Sequence, residues 1–377
     1  MVYNRESVMN KNYRLGELFC GPGGIGAAAK LAKVRKNGLD AGFTHVWATD
    51  YDKDSCNTYR KNLKAKHVVQ IPIEELFRNK KHLKKLPSID CLSFGFPCND
   101  FSNVGEKKGI NGKFGPLYTY CVEALDYFNP KWFFAENVSG IKSSNLGDTF
   151  SKILRELKNA GKGYDIFPHL YKFEQYNVPQ ARHRVIIIGI RKDLKKTFYI
   201  PAPVATDPED YLSCESALKG IDKRAHNHEV TKNSEIVTER LNYIKPGKNV
   251  FNSNLPPKLK LNIKGAKMSM IYKRLDPKKP AYTITGSGGG GTHTYHWKYP
   301  RALTNRERAR LQTFPDTHIF CGSKESQRKQ LGMAVPVEGA KIILQSVLKC
   351  LNDIPYKYIG NNINTHNSGI QLKLNIN

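Results

Sequence analysis

The chemistry that this chain can perform is most visible at Cys98, in the segment GFPCNDFS (residues 95–102). Pro97 fixes the backbone ahead of the cysteine, and small or polar residues follow it. A thiol on such a turn suits nucleophilic catalysis if it is exposed and readily ionised, although a solitary cysteine is more often a buried core residue. Phe101 stands where a deaminase zinc motif, P-C-x-x-C, needs its second cysteine, which excludes that type of site.

An acid and two arginines supply charged groups for the same chemistry. Glu136 follows the apolar segment KWFFA, where a carboxyl can serve as a general acid or can cap the next helix. Arg182 and Arg184 stand two residues apart in QARHR, at the entry to another apolar segment, so in a strand they would project from one face. Such a pair suits a phosphate or a carbonyl oxygen, and a surface pair without function is the plainer alternative.

A glycine-rich segment, FCGPGG (residues 19–24), ends one apolar run and precedes a helical stretch. Glycines at that point let the backbone approach a bound ligand closely. Asp50 ends the next apolar run, where it could accept hydrogen bonds from a ribose, and Tyr51 could stack on an adenine. These residues do not separate a nicotinamide dinucleotide from S-adenosylmethionine, and a tight turn with packing glycines is the alternative without a ligand.

Alternating strands and helices must position these groups. The apolar runs predict strands at 15–19, 45–50, 90–96, 131–138 and 184–190, and helices fit at 52–63, 117–128 and 150–160. Such alternation is typical of an α/β fold in which a parallel sheet has both faces covered. Functional groups then gather at the carboxyl ends of the strands, where Gly21, Asp50, Cys98 and Glu136 fall.

The rest of the chain differs in composition, and the whole is strongly basic. Residues 196–300 are rich in Pro, Lys and Asn with weak periodicity, which predicts a second, smaller and irregular domain. The chain has 60 Lys and Arg against 33 Asp and Glu, and the formal net charge of +27 favours nucleic acid as partner. No apolar run reaches membrane-span length, and neither a signal-peptide pattern nor a C-x-x-C pair is present. We therefore expect a cytoplasmic protein with reduced thiols and no membrane partner.

The order of the motifs is more specific than any one of them. FCGPGG, GFPCNDFS, ENV, QARHR, RALTNRERARLQTFPD and GMAVP form the series of the cytosine-C5 DNA methyltransferases, which the chain resembles from about residue 14 to 350. The resemblance implies a Rossmann-like α/β domain with a mostly parallel sheet that binds S-adenosylmethionine, at 1–195 and 325–377. It also implies a smaller, irregular target-recognition domain at 196–324, with double-stranded DNA in the cleft.

The resemblance assigns roles to single residues. Cys98 looks like the nucleophile that adds to C6 of a flipped cytosine, Glu136 like the group on N3, and Arg184 like the group on O2. Arg182 would steady the loop or the Glu136 carboxyl. The residues implied to bind S-adenosylmethionine are Phe19, Gly21, Gly23, Gly24, Asp50, Tyr51, Ile71, Phe96, Pro97, Ala334 and Val335.

Further expectations concern partners and a supporting helix. The resemblance implies no metal and a bacterial restriction–modification role with a cognate endonuclease as functional partner, and a monomer is the simple expectation. Thr304 and Glu307 are spaced as a capping box at the start of a helix in 301–314. On the resemblance, Arg306, Glu307 and Arg310 belong to a helix that supports the recognition domain.

Three other functions stay open at this point: an RNA methyltransferase with the same catalytic set, a nicotinamide-dependent oxidoreductase, and a DNA-binding relative that has lost catalysis. About 110 residues separate QARHR from RALTN, which favours reading of a DNA sequence over RNA. The oxidoreductase leaves Cys98 and Glu136 without a role. The chain departs from the family at Gln70 and Met333, where the family often has Asp and Asn, and we expect cofactor affinity to be affected more than chemistry.

Overall fold

The computed structural model describes residues 11–96, 117–142, 147–262, 269–286 and 289–363, and the structural statements below concern these ranges. The chain divides into two compact units. The first unit comprises the chain through Tyr171, His183–Ala202 and the chain from Ala340 onward, and the second comprises Lys172–Arg182 and Pro203–Gly339. The assignment of the predicted domains to cofactor binding and DNA recognition stays a prediction.

A single large sheet organises the first unit. Its strands are β1 (Lys11–Leu18), β2 (Val34–Lys36), β3 (Leu39–Asp50), β4 (His67–Gln70), β5 (Cys91–Gly95), β6 (Trp132–Val138), β7 (Tyr164–Lys172) and β9 (His183–Arg191). They lie in the order β2-β3-β1-β5-β6-β9-β7, and β4 pairs with β3 outside that row. The β1–β3, β1–β5, β3–β4 and β5–β6 pairs are parallel, whereas β2–β3 and β6–β9 are antiparallel. The predicted α/β class with a mostly parallel sheet is confirmed.

The remaining elements are short strand pairs and helices. Strands β8 (Gln180–Ala181) and β11 (Ala281–Tyr282) pair in parallel, and β10 (Ile200–Pro201) and β12 (Tyr358–Ile359) pair antiparallel. The helices are α1 (Gly24–Leu31), α2 (Lys53–Leu63), α3 (Ile73–Arg78), α4 (Lys80–Lys84), α5 (Leu117–Phe128), α6 (Gly147–Asn159), α7 (Cys214–Leu218), α8 (Glu235–Asn242), α9 (Asn305–Leu311), α10 (Lys324–Met333) and α11 (Val337–Leu351).

Burial on both faces explains why the central strands form where the sequence predicts them. Consecutive residues of β5, β6 and β9 are almost all buried, so these strands need no alternation of polar and apolar residues. Helices α5 and α6 contribute Cys121, Leu125, Phe150 and Leu157 to the same core. The predicted helices at 52–63, 117–128 and 150–160 are confirmed as α2, α5 and α6, with shifts of no more than three residues at their ends.

Two small apolar clusters organise the second unit. One includes Leu241, Tyr272 and Tyr295, and the other includes Ile284 and Leu311. The predicted capping box is confirmed at the start of α9, because the Thr304 hydroxyl accepts from the Glu307 N–H at 3.2 Å and the Glu307 carboxylate accepts from the Thr304 N–H at 2.8 Å. Both caps satisfy backbone groups that a short helix would otherwise leave unpaired.

The stretch Lys324–Leu351 is long and apolar enough to count as one candidate membrane span by length and composition. Buried residues make up 67% of its most apolar window. The stretch also divides into α10 and α11, which are separated by residues 334–336. A core helix of a folded domain passes the same test.

Candidate active site

The carboxyl ends of β1, β3, β5 and β6 meet at one edge of the sheet, because these strands are parallel. The chain leaves β1 in a tight turn in which Phe19, Gly21 and Gly23 have φ values of 52°, 51° and 85°. A Cβ added to Gly21 would meet nothing within 4 Å, so this glycine serves the left-handed backbone and leaves open space beside it. The turn then enters α1 at Gly24, as the sequence predicts.

Asp50 holds the glycine turn against the end of β3. One of its carboxylate oxygens accepts from the Gly21 N–H at 2.9 Å, and the other accepts from the Asp52 N–H at 2.9 Å. Burial raises the pKa of the Asp50 carboxyl. Each oxygen keeps a second lone pair, so the carboxylate can still accept a hydroxyl of a ligand. Tyr51, next in the chain, has 59% of its surface exposed, which suits an aromatic that stacks on a ligand.

A buried acid to which no motif pointed lies next to this turn. Glu17, in β1, is 2% exposed and accepts a hydrogen bond from the phenol of Tyr59 in α2. Nδ1 of His45 lies 3.3 Å from the Tyr59 oxygen and 3.9 Å from Oε2 of Glu17. Burial raises the pKa of Glu17 to about 7 and lowers the pKa of His45 to about 4. At neutral pH the imidazole is therefore neutral, and the carboxyl keeps its proton to a higher pH than an ordinary glutamate does.

The Glu17–Tyr59 pair supports the glycine turn through direct packing. A Cβ on Gly26 of α1 would lie 2.6 Å from Oε2 of Glu17 and 3.0 Å from the Tyr59 oxygen. A Cβ on Gly23 would lie 2.5 Å from Leu63 of α2 and 3.0 Å from the Tyr59 ring. The turn and α1 can approach α2 this closely only with glycine at both positions. The one signal in the sequence was a single acid inside the apolar run LGELF.

Two of the predicted catalytic side chains meet at the end of β6. Oε1 of Glu136 lies 2.9 Å from Nε of Arg184 in β9, and both side chains are 12% exposed. The register explains the contact, because Glu136 pairs with Ile186 and Arg184 stands two residues from that position, on the same face. Arg184 also donates from Nη1 to the backbone carbonyl of His183 at 2.7 Å. The sequence placed both residues at strand ends, and the antiparallel β6–β9 pairing joins them.

Strand β5, which precedes Cys98 in the chain, ends beside this ion pair. Gly95, the last residue of β5, is the strand neighbour of Glu136, and a Cβ there would lie 3.1 Å from Oε2 of Glu136. Phe96 follows, 4% exposed, with its ring 6.3 Å from that of Tyr118. Pro97 and Cys98 come next and lie outside the described residues. The described residues therefore stop at Phe96, two residues before Cys98, and resume at Leu117.

Arg182 has partners different from those of Arg184. It is 1% exposed, lies between β8 and β9 in the second unit, and donates to the carbonyls of Ile284 at 3.1 Å and Gly332 at 2.8 Å. These contacts tie together the backbone of the second unit, and the predicted catalytic role of Arg182 stays a prediction.

The other predicted cofactor residues fall in both units. Ile71, in the first unit, is 7% exposed and donates its N–H to the Asp50 carbonyl at 2.9 Å. Ala334 and Val335, in the second unit, are 4% and 6% exposed and follow α10, whereas Met333 is 48% exposed. Their contact with a cofactor stays a prediction.

The arrangement in the first unit suits both cofactor binding and acid–base chemistry. An open glycine turn, a carboxylate with free lone pairs and an exposed aromatic together fit a ligand with a ribose and an adenine. The Glu136–Arg184 pair offers a carboxylate and a guanidinium to a polar substrate at the end of β6, beside the last residue of β5.

Comparisons with known proteins agree with this arrangement. The sequence profile of the C-5 cytosine-specific DNA methylases matches residues 13–349. The type II methyltransferase M.BbvI of Brevibacillus brevis is 52% identical over 354 residues, which cover 92% of this chain and 94% of that protein. The type II methyltransferase M.NgoFVII of Neisseria gonorrhoeae is 36% identical over 326 residues, with coverage of 84% and 85%.

Solved structures share the fold at lower identity. A protein of E. coli encoded within a prophage matches with a TM-score of 0.71 and 23% identity, over 90% of this chain and 100% of that chain. The Dnmt2 methyltransferase of S. pombe matches with a TM-score of 0.61 and 17% identity, over 90% of this chain and 100% of that chain. At these identities, the two matches show that the fold is shared.

Proposed function

The chain belongs to the C-5 cytosine-specific DNA methylase family and is a DNA (cytosine-5-)-methyltransferase; on that premise we propose that it methylates C5 of a cytosine flipped out of a specific duplex site. The observation that carries the proposal is the Glu136–Arg184 pair beside the end of β5, where the cysteine segment begins. A stacked base would not expose C6 to a nucleophile, so the cytosine has to leave the helix.

In the proposed mechanism Cys98 activates the base covalently. Its thiolate forms a bond to C6, and the electron pair of the C5–C6 double bond moves toward N3 and O2. Glu136 gives a proton or a hydrogen bond to N3, and Arg184 donates to O2, so both stabilise the charge that develops. After C5 has taken up the methyl group, a base removes the C5 proton. The electron pair of that C–H bond re-forms the C5–C6 double bond, and Cys98 leaves C6 as a thiolate.

S-Adenosylmethionine, when bound, supplies the methyl group that C5 takes up. Asp50 would accept hydrogen bonds from its ribose, Tyr51 would stack on its adenine, and the Gly21 turn would leave room for it. The support is the open space at Gly21 and the lone pairs left on Asp50. No step of this mechanism needs a metal.

The biological role and the substrate of the enzyme are inferred from its relatives and from its net charge. Type II methyltransferases belong to restriction–modification systems, and we extend that role to this chain because the identity to M.BbvI is 52% over most of both proteins. The enzyme would act on double-stranded DNA in the bacterial cytoplasm and protect it from a cognate endonuclease. The net charge of +27 supports a polyanionic substrate. The monomeric state predicted from the sequence stays a prediction.

The first experiment measures transfer of a labelled methyl group from S-adenosylmethionine to mixed-sequence duplex DNA, with tRNA in parallel. We expect label in the DNA, recovered as 5-methylcytosine, and none in tRNA. Cys98→Ala should abolish the label, whereas Cys321→Ala, which removes a different thiol of intermediate exposure, should keep it. Sequencing the product would then give the target site.

The other outcomes separate the alternatives. Label in tRNA alone would replace the proposal with an RNA methyltransferase. Full activity in Cys98→Ala would remove the covalent mechanism while keeping the reaction. Binding of DNA without any transfer would indicate a relative that has lost catalysis, and Gln70 and Met333 would be the first positions to restore.

A further inference from the structure

A recess in the second unit carries an excess of positive side chains. It has a cavity volume of about 30 Å³, and it opens between the start of α9, helix α10 and the segment after the glycine-rich stretch. Arg308, Lys324 and Arg328 supply three cations to its wall, and Glu229 supplies one carboxylate. His293 and Thr304 also line it. The wall therefore has a net positive charge.

Arg308 is buried in this wall without the partners that a buried guanidinium needs. The residue is 3% exposed, and its Nε lacks a hydrogen-bond partner. Nη1 lies 3.5 Å from the Thr294 hydroxyl, which is a long contact. No carboxylate of the described residues forms an ion pair with it. Burial of a charge without compensation is costly, so a second group is expected to complete the site.

Two other buried arginines of the same unit have the hydrogen bonds to backbone carbonyls that are typical of a structural arginine. Arg306, 0% exposed and two residues away, donates to the carbonyls of His226, Pro315 and His318. Arg274, 7% exposed, donates to four backbone carbonyls. Arg308 differs from both because the protein backbone does not saturate it.

The charged neighbours of Arg308 make the binding of an anion at this position more favourable. Among the described residues, Arg328 forms an ion pair only with Glu325, at 3.7 Å, and that glutamate is 84% exposed, which makes the pair weak. Burial, and next the charge of Arg328, lower the pKa of Arg308 to about 10. Burial and the two arginines also lower the pKa of His293 to about 4. Both shifts come first from burial, and a bound anion would relieve the repulsion among these cations that adds to them.

We propose that this recess binds a phosphate group of the DNA backbone, with Arg308 and Arg328 as its principal ligands. The proposal rests on the proposed function, which makes duplex DNA the substrate. A guanidinium is a planar fork that matches two phosphate oxygens, and Lys324 adds a third charge. Such a contact fixes the position of the duplex and reads no sequence.

The test is the salt dependence of DNA binding, measured by fluorescence anisotropy with a labelled duplex. Arg308→Met and Arg328→Met each remove one cation of the recess and keep much of the side-chain volume. Arg224→Met is the matched control, since it removes the same charge from an exposed residue, 92% exposed, of the same unit. Folding of each variant is checked by its thermal midpoint.

We expect both recess variants to bind about tenfold more weakly than wild type at moderate salt, on target and non-target duplexes alike. The slope of log K against log salt should become shallower by about one, as for one lost phosphate contact. Arg308→Met should melt no lower than wild type, because it removes a buried charge that lacks a partner. Affinity and slope equal to those of Arg224→Met in a folded Arg308→Met protein would overturn the proposal.

A second measurement separates DNA from free phosphate. Inorganic phosphate is titrated against the thermal midpoint at constant ionic strength. Stabilisation of wild type that is absent in Arg308→Met, together with unchanged DNA affinity, would mean that the recess takes a free anion, and the DNA proposal would fall. Because binding is measured without turnover, loss of methyl transfer would count against the proposed function and leave this test intact.

Discussion

Glu136 forms an ion pair with Arg184, and this contact determines what a substitution of the glutamate would do. Its carboxylate is held by Nε of Arg184, so Glu136→Gln keeps the shape and a hydrogen bond while the ability to give a proton is lost. We expect the rate of methyl transfer to fall by about 10²–10⁴, the usual contribution of a general acid, with little change in cofactor affinity. Single-turnover transfer and equilibrium binding of S-adenosylmethionine measure the two separately.

The matched control for that prediction is Glu239→Gln, an exposed glutamate whose only described ion pair is with Lys258. It should leave both measurements unchanged. An unaltered transfer rate in Glu136→Gln would assign the N3 contact to another group.

The raised pKa of Glu17 predicts how the stability of the folded protein changes with pH. Its pKa is raised to about 7 in the folded protein, above the ordinary value of 4.5, so the carboxyl favours folding while it is protonated. That contribution is fully present below about pH 4.5 and is lost as pH rises to about 7, a change of roughly 3 kcal/mol. Glu17→Gln stays neutral, so its stability advantage over wild type should grow across this range and then level off.

Urea unfolding followed by tryptophan fluorescence measures the difference, since Trp47 and Trp132 are buried in the first unit. The comparison of variant with wild type isolates Glu17 from His45, whose lowered pKa makes stability rise from about pH 4 to 6.5 in both proteins. A pH-independent difference between the two proteins would show that Glu17 titrates normally.

Among the elements, the β6–β9 pair carries both members of the ion pair, and its packing depends on a glycine. Gly189 stands opposite Phe133, and a Cβ there would lie 2.0 Å from the Phe133 ring. Gly189→Ala must displace the ring or the strand, so we expect a loss of about 1–3 kcal/mol of stability. Methyl transfer should also fall, because a shift of β9 moves Arg184 relative to Glu136.

The matched control is Gly360→Ala, since a Cβ on Gly360 meets nothing within 4 Å. Its thermal midpoint should stay close to that of wild type. Equal midpoints for the two alanine variants would mean that Phe133 can move aside freely.

How well the sequence predicted each element depended on where the element lies in the sheet. The strands β5, β6 and β9 are buried on both faces, so continuous apolar runs identified them within one residue at each end. Strand β7 was not predicted, because YDIFPHLYK mixes polar and apolar residues at the end of the strand row. The first half of β3 was missed for a similar reason, since Leu39 and Asp40 are exposed.

The site could be predicted only in part, because the sequence does not reveal contacts between elements that are distant along the chain. Strand ends predicted Gly21, Asp50, Cys98 and Glu136 at one sheet edge, and the structure has Gly21, Asp50 and Glu136 at the carboxyl ends of parallel strands, whereas Cys98 lies outside the described residues. The sequence could not pair Glu17 with Tyr59, because 42 residues separate them and only the β1–α2 packing brings them together. It also grouped Arg182 with Arg184 by spacing, whereas their guanidinium groups have different partners.

At the scale of the whole molecule, the two compact units do not follow composition alone. Lys172–Arg182 groups with the second unit although it precedes the segment rich in Pro, Lys and Asn. Its strand β8 pairs with β11, about a hundred residues later, and such long-range pairing leaves no local trace in the sequence. Gly286 also packs closely against α10, since a Cβ on Gly332 would lie 1.7 Å from the Gly286 nitrogen.

The net charge of +27 belongs to no single element, and it predicts how DNA binding responds to salt. Each phosphate that Lys or Arg neutralises releases counterions, so a footprint of about 6–10 phosphates lowers affinity by roughly 10³–10⁵ between 50 and 200 mM salt. We expect this loss for a non-target duplex, whereas affinity for S-adenosylmethionine, which the uncharged glycine turn and Asp50 are proposed to hold, should change little. Anisotropy for the duplex and calorimetry for the cofactor, on the same preparation, test both. A duplex affinity that is insensitive to salt would mean that the charge is spread without contacting the backbone, and the basic composition would then have no role in binding.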